Sequence, residues 1–200
     1  MTKIIALCGS VWLICGISFG TTIEFSKDGF VLTIPSNWIE IPQKQVAIKA
    51  ALLSSTYPNA PHESIDHAFQ PKSNARWFDY PYIIVQIKNT GRVTEKQLKE
   101  LNRFSFDSTK GKIEKQLNDQ MSKSQMAAFT YDVAHKIIWS ELTANVQNEG
   151  KMYSLVGAVL TANGSISFYC SCRYTTMKRY YYVFQDIIYS VAISEQLKYK

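Results

Sequence analysis

The stretch that decides the fold is residues 136–194, which read KIIWSELTANVQNEGKMYSLVGAVLTANGSISFYCSCRYTTMKRYYYVFQDIIYSVAIS. Apolar and polar residues alternate along much of it, which is typical of β-strands. Asn163 and Gly164 interrupt the alternation, and both accept the positive φ that a type I′ turn needs. The stretch therefore predicts two strands, an Asn-Gly hairpin turn, a third strand and then a helix.

The predicted hairpin determines which side chains share a face of the sheet. With Asn163 and Gly164 as the loop, Ala162 lies opposite Ser165, and alternation assigns the other residues to two faces. The core face is predicted to carry Tyr153, Leu155, Gly157, Val159, Thr161, Ile166, Phe168, Cys170 and Cys172. The opposite face is mixed in polarity, which indicates that other elements cover it only in part.

An amphipathic helix is predicted after the third strand. Thr175 and Thr176 offer a hydroxyl for its N-cap, and apolar residues then recur at helical spacing. That apolar stripe consists of Tyr180, Phe184, Ile187, Ile188 and Val191. A helix with one apolar face next to an antiparallel sheet is expected to pack across that sheet, so the predicted fold class is α+β.

The preceding part of the chain adds elements to the same domain. Residues 23–34 predict a hairpin, residues 42–56 a helix, and residues 82–88 a strand. Thr94 and Gln97 form a capping box at the start of another helix. A helical segment from about residue 109 and a strand at residues 127–133 follow. No repeat or linker divides the sequence, so we predict one domain over residues 21–200.

Residues 1–20 are predicted to be a signal peptide. Lys3 precedes an uncharged apolar run at residues 4–17, and small residues lie before the predicted cleavage site at Gly20. The run is short for a transmembrane span, which needs about 20 residues. We therefore expect export to a periplasm or beyond, without a transmembrane span after cleavage. The alternative is a membrane anchor, through an uncleaved signal or a lipidated Cys15.

The charge pattern argues against a nucleic acid partner. The formal net charge is +6 over 200 residues, and the 22 basic residues are scattered along the sequence. A nucleic-acid interface needs a dense basic patch, and none is interleaved with stacking aromatic residues in this sequence. An exported chain with this pattern is expected to bind no nucleic acid.

Two cysteines on the predicted third strand form the first candidate site. Cys170 and Cys172 point to the core face, and their spacing is awkward for a disulfide in an extended strand. Two small buried hydrophobic residues are the favoured interpretation, because a thiol among apolar side chains is poorly ionised. A redox or soft-metal pair is the alternative.

The irregular segment at residues 57–81 holds the second candidate site. His62, Glu63, Asp66 and His67 are residue types that bind metals, but the two histidines are five residues apart. A zinc-binding helix places its histidines four residues apart. We therefore interpret the four as hydrogen-bonding surface residues and predict no metal site among them.

The end of the same segment is rich in aromatic residues. Trp77, Phe78 and Tyr80 lie close together in a long connection, where recognition residues often occur. Packing onto the core is the alternative use of these side chains, because large exposed apolar patches are rare on soluble domains. These three residues are the predicted partner-binding residues. His135, at a strand boundary, is interpreted as structural.

Two segments carry a resemblance to a known superfamily. FVLTIPSNW at residues 30–38 and SVAI at residues 190–193 resemble segments of the PsbP-like superfamily. That group includes the extrinsic photosystem II subunit, a nuclear import factor that binds the Ran GTPase, and bacterial envelope proteins. The resemblance covers nearly all of residues 21–194. It implies a central antiparallel sheet with helices on both faces, no shared catalytic residues, and action by binding.

The function predicted is that of an exported, non-catalytic envelope protein that binds another protein or supports an envelope complex. The alternative is a small-ligand or metal-binding periplasmic module that uses His62, Asp66 and His67, or the cysteine pair. A hydrolase ranks last, because the sequence contains no His-Glu-x-x-His helix, and its one Gly-x-Ser-x-Gly match, at residues 16–20, lies in the predicted signal peptide and is no nucleophile elbow. No catalytic residue and no cofactor is predicted, and the expected partner is an envelope protein.

Overall fold

The computed structural model describes residues 20–56, 64–101, 122–127, 129–146 and 149–199. Its elements are β1 (Gly20–Phe25), β2 (Phe30–Pro35), β3 (Trp38–Glu40), α1 (Gln43–Thr56), β4 (His67–Pro71), β5 (Tyr82–Lys88), α2 (Glu95–Leu101), β6 (Ser122–Met126), β7 (Thr130–Asp132), β8 (Ile137–Val146), β9 (Gly150–Thr161), β10 (Gly164–Arg173), α3 (Met177–Tyr189) and β11 (Ala192–Ile193). None of the helices in these ranges has the length and apolar character that a membrane span requires.

Most of the strands form one eight-stranded antiparallel sheet. Its order is β3-β4-β5-β10-β9-β8-β6, and β7 also pairs with β8. The three longest strands, β8, β9 and β10, are adjacent in it, as the alternation in residues 136–173 predicts. This antiparallel run is the centre of the α+β fold.

The β9–β10 hairpin turns one residue earlier than its Asn-Gly sequence predicts. Thr161 pairs with Gly164, so the loop consists of Ala162 and Asn163, and the type I′ prediction is wrong. Gly164 is the residue with positive φ, at 154°, and it lies against the backbone of β5. A side chain there would collide with that backbone, so glycine has to begin the strand rather than sit inside the loop.

The predicted assignment of side chains to the two faces of the sheet is unchanged by this shift of register. Each residue of β10 pairs two positions away from its predicted partner on β9, and a shift of two residues keeps every side chain on its face. On the predicted core face the buried side chains are Tyr153, Leu155, Val159, Ile166, Phe168, Cys170 and Cys172. The core face is therefore confirmed.

Helix α3 packs across this face, as predicted. It buries Phe184, Ile187 and Ile188 against the sheet. Gly157 on β9 allows the close approach, because a Cβ atom there would lie 2.9 Å from Ile188 Cδ1. The N-terminus of the helix differs from the prediction, because the Thr176 hydroxyl donates a hydrogen bond to the Arg173 carbonyl and caps no helix N–H.

A second sheet of three strands covers the rest of the same face. β2 lies between β1 and β11, and its residues Phe30, Leu32 and Ile34 enter the core together with α3. Strand β11 is absent from the sequence prediction, which continued the helix to about residue 193. Ser190 ends the helix by accepting a hydrogen bond from the Thr33 N–H and donating one to the Thr33 carbonyl.

Helix α1 lies on the opposite face of the large sheet. Phe69 on β4 faces the main core, so alternation turns its neighbour Ala68 to the other side. There Ala68 packs with Val46 of α1 and with Ile41 in a second, smaller apolar cluster. Helices therefore lie on both sides of the antiparallel sheet, which confirms the predicted α+β architecture.

The segment at residues 57–81, predicted to be irregular, contains a strand of the large sheet. β4 lies between β3 and β5, where Phe69 pairs with Glu40 on one side and Ile83 on the other. Only five residues long, β4 shows little alternation in its sequence. β6 is a further unpredicted strand, and the strand predicted at residues 127–133 is shortened to β7. The helical segment predicted from about residue 109 lies outside the described residues.

The capping box is confirmed. The Thr94 N–H donates to Gln97 Oε1 over 2.7 Å, and the Gln97 N–H donates to Thr94 Oγ1 over 3.2 Å. These reciprocal bonds satisfy two backbone donors at the start of α2.

Candidate functional site

His67 connects the two sheets through its side-chain contacts, so its ring nitrogens are not free to bind a metal ion. Its Nδ1 lies 3.0 Å from Glu40 Oε1 and its Nε2 lies 3.0 Å from Asp28 Oδ2. Asp28 belongs to the turn between β1 and β2, so this His67 clasp joins the small sheet to the large one. The imidazole also packs on Phe25, with ring centroids 4.1 Å apart. His67 makes the hydrogen bonds that were predicted, but its side chain is only 15% exposed and lies below the surface.

The other residues of the second candidate site do not complete a ligand set around His67. Asp66 accepts a hydrogen bond from the Ile87 N–H through Oδ2 over 2.7 Å, and its own N–H donates to the Val85 carbonyl. These bonds align the start of β4 with β5. His62 and Glu63 lie outside the described residues. Among the described residues, no group of three or more His, Cys, Asp and Glu side chains could hold a metal ion.

The two cysteines are part of the core. Cys170 and Cys172 are free thiols with no exposed surface, and they pack with the residues that α3 covers. Burial raises the pKa of Cys170 well above its usual value. Burial also raises the pKa of Cys172, to about 11, against a smaller opposing effect of a hydrogen bond with Thr176. The favoured interpretation as small buried hydrophobes agrees with this environment.

We expect neither thiol to be alkylated by iodoacetamide in the folded protein at about pH 8. Both pKa values are raised, so the thiolate that attacks the reagent is scarce below the folded-state pKa. Mass spectrometry after labelling with and without denaturant checks this, and unfolding should expose both residues. Rapid labelling of either residue in the native protein would contradict the inert interpretation.

His135 also has a structural role. Its Nδ1 lies 2.7 Å from Asp132 Oδ2, and its ring packs on Tyr189 with centroids 4.7 Å apart. The same aspartate accepts hydrogen bonds from the backbone N–H groups of Ala134 and His135, which stabilise the turn after β7. This geometry fits the structural interpretation of His135.

The aromatic residues predicted to bind a partner lie on the face of the sheet opposite α3. Tyr82 at the start of β5 pairs with Ser171 of β10. The ring of Tyr80 stacks on Tyr82 with centroids 5.1 Å apart, and the ring of Phe78 meets Tyr82 edge-on at 5.7 Å. The three rings therefore form one contiguous group at the end of the sheet.

Phe78 and Trp77 have different roles in this group. Phe78 has a positive φ of 62°, and its N–H donates to the buried Gln70 Oε1 over 2.7 Å. Its ring packs against the small cluster beneath α1, so this residue anchors the segment. The neighbouring Trp77 is 41% exposed and can contact a partner directly.

Two cations lie over aromatic rings of the same group. Lys49 Nζ is 5.6 Å from the centroid of Phe78, and Arg173 Cζ is 5.9 Å from that of Tyr80. Arg173 also donates to the Glu149 carbonyl over 3.0 Å. Such contacts hold cationic groups in place and leave their charge available.

We call this group the aromatic–cationic surface. It consists of Trp77, Phe78, Tyr80 and Tyr82 together with Lys49 and Arg173. Sequence reasoning identified three of its aromatic residues from their clustering. The two cations were missed because they come from α1 and the end of β10, which meet there only in the folded chain. In β5, Ile83 and Val85 point inward, so alternation along this strand could have predicted that Tyr82 points outward.

Burial perturbs two groups of this surface. It raises the pKa of Tyr82, an effect to which Tyr80 adds, so the Tyr82 phenol stays neutral at physiological pH. Burial lowers the pKa of Lys49, and the negative charge of Glu149 partly opposes that change. Lys49 and Arg173 both lie near Glu149, so two cationic residues and one carboxylate are close together on this surface.

Comparison with known proteins identifies the fold. No family model and no curated protein matches the sequence. Cyanobacterial PsbP (CyanoP) from Synechocystis sp. PCC 6803 is similar in structure, with a TM-score of 0.51 and 15% sequence identity, over 94% of this chain and 98% of that one. The Ran-binding protein Mog1p of Saccharomyces cerevisiae gives a TM-score of 0.48 and 9% identity, over 88% and 96%. The similarity to the CyanoP structure shows that the chain has a PsbP-like fold, as its sequence resemblance implied.

Proposed function

We propose that this protein is an exported, non-catalytic envelope protein that binds an acidic partner protein through the aromatic–cationic surface. The observation that carries the proposal is the arrangement of two cations over aromatic rings of one group, which the exposed Trp77 adjoins in sequence. Tyrosine, tryptophan and arginine are the residue types that contribute most to protein interfaces. A PsbP-like fold is compatible with binding and does not by itself assign a partner.

The charge of the surface supports an acidic partner. Lys49 and Arg173 lie around a patch in which Glu149 is the neighbouring carboxylate. A partner with carboxylates at matching positions would gain charge-assisted hydrogen bonds and faster association. The apolar rings would be covered at the same time, which would remove Trp77 and the half-buried Tyr80 from water.

The test is crosslinking and co-purification of the full chain from its native envelope. We expect Trp77→Ala, Lys49→Gln and Arg173→Gln each to reduce recovery of the partner, with affinity losses of about tenfold or more. These positions are preferred to Phe78, which anchors its segment and would change the fold when truncated. Raising the ionic strength should also weaken association, since salt screens exposed charges.

Tyr182→Ala is the matched control, because Tyr182 is 69% exposed on α3 and lies outside this surface. Its partner recovery should equal that of the unmodified protein. Melting temperatures of all variants should stay close to that of the parent. Undiminished recovery with the three surface variants would overturn the proposal.

The alternative of a metal-binding module stays a prediction with less support. The imidazole of His67 is occupied by Asp28 and Glu40, and Asp66 holds the backbone of β5. Elemental analysis of the purified protein addresses it directly, because stoichiometric zinc or copper would favour a metal site.

A further inference from the structure

A cavity of about 230 Å³ lies between α3 and the large sheet. α3 lines it with Tyr181, Gln185 and Tyr189, which recur every four residues and form a stripe beside the apolar one. β8 contributes Trp139 and Glu141 from the face that α3 covers, opposite the aromatic–cationic surface. At about 30 Å³ per water molecule, the cavity has room for about eight non-hydrogen atoms.

Two carboxylates give the cavity a negative charge. Glu141 and Asp132 both line it. Burial acts to raise the pKa of Asp132, but hydrogen bonds from the backbone and ring of His135 outweigh that effect and lower it. Among the described residues, no lysine or arginine forms an ion pair with either carboxylate, and Asp132 Oδ2 contacts the His135 imidazole and the Tyr189 hydroxyl.

The hydroxyl groups around these carboxylates carry no compensating charge. Burial, and then the nearby carboxylates Glu141 and Asp132, raise the pKa values of Tyr181 and Tyr189, so both phenols are neutral at physiological pH. The hydroxyl of Tyr153 is buried beside Glu141, and the pKa of Tyr153 is raised by burial and then by the charge of that carboxylate.

The aromatic walls favour an organic cation over a metal ion. The rings of Trp139 and Tyr189 lie 5.4 Å apart at an interplanar angle of 62°, and the electron-rich faces of such rings attract ammonium and guanidinium groups. A metal ion would require more ligands, and the described residues offer no cluster of three His, Cys, Asp or Glu side chains.

We propose that this cavity binds a small organic cation, an ammonium group on a short aliphatic chain. Glu141 and Asp132 would neutralise the ammonium group, while Trp139 and Tyr189 would contact its chain. The group would come from a free amine or from a lysine side chain of another protein, and the recognition chemistry is the same for both. This site is separate from the aromatic–cationic surface, so the proposal does not depend on the proposed function.

The experiment is a titration of the full-length, isotope-labelled protein, followed by nuclear magnetic resonance. The probes are n-butylamine, its neutral analogue 1-butanol, and Nα-acetyl-lysine methylamide. Saturable shifts of the Trp139 indole and Gln185 amide signals are expected with the two amines and not with the alcohol. Tighter binding of the lysine derivative would identify a protein side chain as the source of the cation, and tighter binding of butylamine a free amine.

Charge-removing variants separate this site from nonspecific association. Glu141→Gln should weaken amine binding about tenfold, because it removes one charged hydrogen-bond acceptor. Asp132→Asn, which keeps its turn-forming oxygen, is a second variant with the same expectation. Glu195→Gln is the control, since Glu195 is an exposed carboxylate whose partner is Lys198, and it should bind like the parent. Equal binding of 1-butanol, no saturable shift, or unchanged affinity in both site variants would overturn the proposal.

Discussion

Phe184→Ala is expected to lower the free energy of unfolding by about 4 kcal/mol. Phe184 is completely buried in α3 and meets Trp38 edge-on, with ring centroids 6.4 Å apart. Tyr180 stacks on its other side at 6.0 Å. The substitution leaves a cavity between α3, β3 and the small sheet, which the surrounding side chains can fill only in part. Urea denaturation followed by circular dichroism measures the loss.

Tyr182→Ala is the control for this prediction, since Tyr182 lies two residues away in the same helix but is 69% exposed. An exposed substitution of this kind should change the free energy of unfolding by less than about 0.5 kcal/mol. Both substitutions raise the helix propensity of α3, so similar losses for the two variants would contradict the packing of Phe184 as the source of stability.

Gly164→Ala is expected to lower the free energy of unfolding by about 3 kcal/mol, at the upper end of overpacking costs. A Cβ atom at Gly164 would lie 1.8 Å from the Lys88 carbonyl oxygen and 2.9 Å from its carbonyl carbon. Both atoms belong to the backbone of β5, which is hydrogen-bonded into the sheet and cannot move aside alone. The β10–β5 pairing, which begins with Ser165 and Lys88, would have to open.

Gly150→Ala is the control variant, because it introduces backbone strain without a steric collision. Gly150 also has a positive φ, 81°, but a Cβ atom there would meet nothing within 4 Å. Its replacement should therefore cost only the strain of a left-handed residue, about 1 kcal/mol. Parallel denaturation curves test the difference, and a Gly164→Ala variant no less stable than Gly150→Ala would contradict the close approach to Lys88.

Alternation predicted the centre of this fold because it reports which side chains are buried. It placed Phe168 and Cys170 on the core face correctly even though the turn was displaced. The displacement has a physical cause outside the hairpin. Local turn preference favours Asn163 and Gly164 in the loop, but contact with β5 requires glycine at the first residue of β10. A prediction from local turn preference alone cannot take the contact with β5 into account.

Short elements escaped prediction for a related reason. β4 and β11 have five and two residues, and each is a strand only because longer strands lie beside it. The residues of the candidate site also differ in whether local sequence could predict them. Trp77, Phe78 and Tyr80 are neighbours in sequence and were found together, whereas Arg173 and Lys49 reach them from distant parts of the chain. The residues of α3 that line the cavity were likewise missed, because they lie beside the apolar stripe of the same helix.

The pairing of β11 with β2 makes the small sheet depend on a contact between distant parts of the sequence. Ala192 pairs with Val31, and Ile193 with Phe30, so the β1–β2 hairpin receives its third strand from a segment 161 positions further along the chain. Closing so large a loop is slow, because its entropy is lost before the contacts form. The small sheet can be completed only after residues 192–193 have been synthesised. Until then the apolar side of β2 stays in need of protection from aggregation.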